Sequence, residues 1–107
     1  MSNATNYAED EILDHVLGKG TRDFTSPANL YVGLYTAISD GETQSWTEVS
    51  GTGYARKAVT FGAASSGTAT NSADVEFDAA GSGGWGTVIG LFVTDAASAG
   101  NALFFGS

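Results

Sequence analysis

The stretch GSGGWGTVIGLFVTD, Gly81 to Asp95, sets four glycines around one tryptophan and then runs into an apolar segment. Gly81, Gly83 and Gly86 satisfy the spacing G-x-G-x-x-G, which cradles a pyrophosphate where it comes after a strand and opens a helix. The glycines lead instead into Thr87, Val88, Ile89, Leu91, Phe92 and Val93. These residues are mostly β-branched or aromatic, with no N-cap and no helical spacing, so the glycines enter a strand and the nucleotide reading fails. The Thr87–Val93 segment is apolar on both of its faces. That pattern predicts a central strand covered on each side by other structure.

Outward from that strand, period two recurs. In NLYVGLYTA, Leu30, Val32 and Leu34 face one way and Tyr31 and Tyr35 the other, with Gly33 between the tyrosines. GYARKAVTF alternates again, with Ala55, Lys57, Val59 and Phe61 on one face and Tyr54, Arg56, Ala58 and Thr60 on the other. GTATNSADVEFDAAG reads as a weaker strand, and NALFFGS as a last one joined through the small-residue connection DAASAG. Residues 38–53 are polar and turn-rich, which predicts a surface loop carrying an exposed Trp46. The helical spacing lies near the start. Asn6 is placed to cap a helix with Glu9 at N3, the apolar stripe is Ala8, Ile12, Leu13, Val16 and Leu17, and Gly18 and Gly20 end it. A helix of about three turns is too short to stand alone, so its stripe must dock on its own sheet or on a neighbour's. The expected fold is mainly β: a small antiparallel β-sandwich with one short N-terminal amphipathic helix, as a single domain over residues 7–107 preceded by an arm, 1–6.

Composition bounds the chemistry. The chain has 107 residues, no cysteine and one histidine, His15, beside the helix stripe. No disulfide or thiolate metal site can brace it, and no nucleophile, base and orienter can be assembled, so an enzyme is not expected. Twelve acids against four bases give a formal charge of −8, which opposes direct binding to a nucleic acid backbone. The start shows no signal peptide pattern and no apolar run could span a bilayer, so synthesis in a host cytoplasm and no membrane contact are expected. Asp74, Glu76 and Asp78 place their carboxylates on one strand face, but residues two apart on a strand sit nearly 7 Å apart, too far to share one Ca²⁺ without a closing loop. A solvated face is the expected reading. No cofactor is expected either. The aromatic residues are many for so small a core, and Trp46 and Trp85 sit in glycine- or serine-rich turns where a large amphipathic ring suits protein contact.

LYVGLYTA, GYARKAVTFGAASSGTATNSADVEFDAA and WGTVIGLFVTDAASAGNALFFG, preceded by the short helix, resemble a family of small tailed-phage proteins labelled tail-fibre-like or virion proteins. The resemblance covers the chain from about Asn6 onward and carries no catalytic residues. Two departures stand out. Lys57 occupies a position usually apolar in the family, and relatives run on after the FFG strand, so an open sheet edge is expected there. The resemblance implies a virion structural protein, first a capsid decoration (cement) protein on the head surface. A tail or tail-fibre component binding a baseplate partner or a host glycan is the alternative. The implied partners are the major capsid protein or other virion proteins, and further copies of the chain in a homo-oligomer, with a trimer favoured. The residues expected at the assembly interface are Trp46, Trp85, Phe104, Phe105, Ile12 and Val16. Residues 1–5 are expected to fray in the isolated domain, with Phe104 and Phe105 left for a partner to cover.

Overall fold

In the computed structural model, which describes residues 3–20 and 27–107, the chain order is β1 (Asn3–Ala4), α1 (Asn6–Leu17), β2 (Leu30–Asp40), β3 (Ser45–Glu48), β4 (Lys57–Val59), β5 (Gly90–Thr94) and β6 (Ala102–Gly106). The fold is mainly β with one short N-terminal helix, as the alternation of the sequence predicts. All these strands belong to one antiparallel sheet in the order β1-β6-β5-β2-β3, with β4 also paired to β2. They therefore do not divide into two separately bonded sheets, and each face is covered by other means.

Register explains how. Val32 pairs with Val93 and Leu34 with Leu91, while Gly33 pairs with Phe92, so alternate residues of the central pair point to opposite faces. On the first face Val32, Val59 and Val93 form a buried cluster, with Val75 and Phe77 from the later irregular segment packed on it. On the second, Tyr35, Phe92 and Ala102 are buried, with Trp46 and Phe105 packed on them. The apolar runs on β2 and β5 are thus used on both sides, but the strand spans Gly90–Thr94 rather than Thr87–Val93: Thr87–Ile89 precede it, and Val88 and Ile89 are exposed because no neighbouring strand among the described residues covers them.

The second face is closed by the β2–β3 hairpin. Its register shifts between Tyr35 and Ala37 and again between Ile38 and Asp40, and such irregularities bend and twist a strand pair. The tip then meets the far end of the sheet: the Glu42 carbonyl accepts from the Asn6 amide at 3.0 Å and the Gln44 side chain from the Ala102 amide. Two glycines make this approach possible. A Cβ on Gly41 would overlap the Phe105 ring, and one on Gly33 would overlap the Phe92 ring. Residues 38–53, expected as a surface loop, therefore hold the end of β2 and all of β3, because the bends that break strict alternation hide the strands in the sequence.

The N-terminal residues are tied down in the same region. Asn3 and Ala4 pair with Phe105 and Phe104 along the outer edge of β6, so that edge is not open as expected. Two polar or small residues carry no period, which leaves this pairing without a signal in the sequence. Thr5, fully buried, is the helix cap in place of Asn6: its Oγ1 accepts from the Ala8 amide at 3.2 Å and donates to the Ala102 carbonyl at 2.7 Å. One hydroxyl thus joins helix and sheet, an advantage that Asn6 one residue later does not have. Gly18 ends the helix in the left-handed conformation, φ 70°, as its position predicts. Met1 and Ser2, part of the expected arm, lie outside the described residues.

Thr5→Val, which keeps the shape and removes both hydrogen bonds, is expected to cost about 1–2 kcal/mol. Thr5→Ser should retain most of that. Chemical denaturation of the three proteins measures the difference.

Candidate assembly surfaces

Helix α1 touches the sheet with its first turn. Ala8 is buried, but Ile12, Leu13, Val16 and Leu17 are 48%, 53%, 71% and 66% exposed. At 100° per residue these four span one arc that turns away from the Ala8 contact. The stripe read from the sequence is therefore split. Its start docks on β1 and β6, and its last two turns present a contiguous apolar surface. Exposed leucines are common singly, but four apolar side chains on one short helix are not. His15 is exposed on the same helix.

The four aromatic residues expected at the interface are half-buried and make contacts within the chain. Trp46 is not an exposed loop residue. Its ring stacks on Phe92 at 4.9 Å and Tyr35 at 5.7 Å and lies tilted against Phe105 at 6.0 Å, under the bent hairpin. Trp85 is half-buried. Its ring meets Tyr54 edge-on at 5.5 Å and Phe77 at 6.5 Å, and Nε1 donates to the Thr52 carbonyl at 2.9 Å. Phe104 faces the first cluster and Phe105 the second, both half-buried on β6 alongside β1. Ile12 and Val16 alone among the six are displayed outward.

Sequence reasoning missed a charged knot beside Trp46. Arg56 donates to Glu48 through Nε at 2.8 Å and a terminal nitrogen at 2.9 Å, and its other nitrogen reaches the Ala96 and Ala99 carbonyls, each at 2.8 Å. The guanidinium also lies 5.1 Å from the centre of the Phe92 ring. Tyr54 donates to the same carboxylate at 2.5 Å and accepts from the Leu34 amide at 3.0 Å. Burial pushes the Tyr54 phenol up, and the neighbouring carboxylate adds to this, to about 12. Burial pushes Glu48 the other way from its hydrogen bonds, but the contacts from Arg56 and Tyr54 outweigh it and hold the carboxyl below its usual value. The alternation that places Tyr54 and Arg56 on one face is the available signal. Their acid lies in a segment whose composition reads as loop.

The knot joins three segments that are distant in sequence, and its groups satisfy one another rather than reaching toward a ligand. Lys57, at the position usually apolar in the resembling family, is half-buried and pairs with Asp78 at 3.1 Å. Asp74 and Glu76 are exposed. Among the described residues no group of three or more His, Cys, Asp or Glu side chains is placed to hold a metal ion, and no helix is long and apolar enough to cross a membrane.

No curated protein and no solved structure matches the chain. A family model does, and over nearly the full length. The family is described as podophage GP4 fiber I protein gp80, and the match runs over residues 3–107, from the first residue of β1 to the end of the chain. That span takes in the Thr5 cap, the bent hairpin, the charged knot and the central strand with its glycine-rich approach, and on it the chain belongs to the podophage GP4 fiber I protein gp80 family of phage virion proteins.

Proposed function

We propose that this protein is a non-enzymatic structural subunit of a phage fibre, joined to further copies of itself through the exposed apolar arc of α1. The observation that carries the reading is that arc: Ile12, Leu13, Val16 and Leu17 are displayed together on a helix too short to be held by its own propensity. Covering them removes apolar surface from water, the main favourable contribution in subunit association. The family's description as a fiber protein supports the fibre location. The composition supports the absence of catalysis, since the ionisable groups of the knot are paired with one another. A head-decoration subunit would use the same kind of contact, and the copy number per particle separates the two roles.

Ile12→Ser combined with Val16→Ser is the test. Both side chains are exposed, so folding stability should change by no more than about 0.5 kcal/mol each. The wild-type chain should sediment as an oligomer and the variant as a monomer. In phage particles, quantitative mass spectrometry should find the variant depleted by roughly tenfold or more, and the wild type at a fibre-like rather than shell-covering copy number. Wild-type incorporation of the variant would overturn the reading.

A further inference from the structure

Residues 73–80 take the course of a strand without being bonded as one. The segment runs antiparallel beside residues 52–60 and is pinned at its ends: the Ser72 amide donates to the Thr60 carbonyl at 2.9 Å and the Gly81 amide to the Thr52 carbonyl at 2.7 Å. Between these ends the contacts are made by side chains. Val75 and Phe77 are half-buried against the Val32–Val59–Val93 cluster, and Asp78 pairs with Lys57. Asp74, Glu76 and Asp78 are exposed, so burial alternates residue by residue, as in an extended strand with one covered face. Yet no backbone hydrogen bond holds residues 73–80 to another strand among the described residues. An extended segment with a fixed inner face and free amides and carbonyls is a template for pairing.

We propose that residues 74–78 are a docking edge for an extended strand of a different virion protein, one that alternates apolar with basic side chains. Main-chain pairing supplies the attachment, and the alternation supplies the choice of partner. On one face the incoming strand continues the apolar layer begun by Val75 and Phe77. On the other its side chains stand opposite Asp74 and Glu76, whose carboxylates are exposed, where Lys or Arg makes favourable cross-strand pairs and Asp or Glu repulsive ones; Asp78 is already engaged by Lys57. The sequence of a second copy does not carry that alternation: of its four bases, Arg56 is held by Glu48 and Lys57 by Asp78, and Lys19 and Arg22, three apart, do not alternate with apolar residues. The edge is also separate from the apolar arc of α1, so each contact can be lost without the other.

The probe is a capped heptapeptide alternating lysine with valine. Two controls accompany it: a peptide of the same composition with the lysines and valines in blocks, and the alternating peptide N-methylated on one edge. The alternating peptide should bind the full chain and slow amide hydrogen exchange at residues 74–78 by about tenfold or more, because a paired amide must open before it exchanges. Glu76→Lys, an exposed change, should weaken binding by about tenfold, with the thermal transition unchanged. N-methylation should weaken it as much, since it removes main-chain donors and leaves the charge. Equal binding by all three peptides would reduce the effect to charge attraction and overturn the proposal. Binding without protection at 74–78, or no binding, would overturn it as well.

Discussion

Trp46→Ala is expected to lower the folding stability by about 3 kcal/mol, the lower end of the usual cost of truncating a large aromatic side chain, since the ring is half-buried but packed on three others. Domains of this size are stable by about 5–15 kcal/mol, so the loss takes a large share. The size of the effect comes from what the ring holds. It stacks on Phe92 and Tyr35 and touches Phe105, and its strand belongs to the hairpin whose bend closes that face. Removing it uncovers Phe92, Tyr35 and Phe105 on the face the bent hairpin closes, and Phe92 and Phe105, already against Gly33 and Gly41, have little room to move into the space. Trp85→Ala removes two edge contacts and one solvent-exposed hydrogen bond, and about 1–2 kcal/mol is expected. Trp46→Phe should fall between. Urea titrations of the three variants give the order directly, and a Trp46→Ala protein as stable as Trp85→Ala would remove Trp46 from the core.

The same residues show what a sequence can disclose. The two-sided apolar run in β5 and the alternation in β2 place the central pair, because period two is a local property that survives any later packing. The glycine-rich approach excludes a helix, but the strand begins only at Gly90, because Thr87–Ile89, though β-branched, form no strand ladder among the described residues. Trp46 is not legible. It sits among Ser45, Thr47 and Glu48, where composition signals a turn, and only the bulged register of β2 and β3 folds it inward. Thr5 and the pairing of Asn3 with Phe105 are hidden differently, since the contact joins opposite ends of the chain and no local pattern reports a partner about a hundred residues away. The apolar stripe of α1 is plain as a stripe. How much of it the chain itself covers depends on the tilt of the helix against β6, which no spacing encodes. The knot of Glu48, Tyr54 and Arg56 combines both difficulties, a strand disguised as a turn and a distant loop at Ala96 to Ala99.

That knot also sets how stability should depend on pH. Although burial works against it, the Glu48 carboxyl is held below its ordinary value of 4.5 by Arg56 and Tyr54, so the folded chain binds that proton less tightly than the unfolded one. Its contribution is complete above about pH 4.5 and is lost as pH falls through the lower, folded value. Tyr54 acts at the other end. Burial and the adjacent carboxylate raise its phenol from 10.0 to about 12, so the folded chain keeps the proton longer, and stability is lost as pH rises between those values. Glu48→Gln should flatten the acid limb of a stability profile and Tyr54→Phe the alkaline limb, and each should also shrink the other, because the two groups shift one another through their shared hydrogen bond. At neutral pH Glu48→Gln should cost about 2–3 kcal/mol. Arg56 has a side chain only 9% exposed and would keep the Ala96 and Ala99 carbonyls but lose its counter-charge, whereas Glu48, at 30%, retains some solvent relief. Combining Arg56→Met with Glu48→Gln distinguishes the pair from the rest of the knot, since the methionine stem still covers Phe92. The double variant should be less damaged than the sum of the two single ones, because the second change removes a partner already stranded. Strict additivity, with an acid limb that survives Glu48→Gln, would assign the pH dependence to other carboxylates and leave the knot a packing feature.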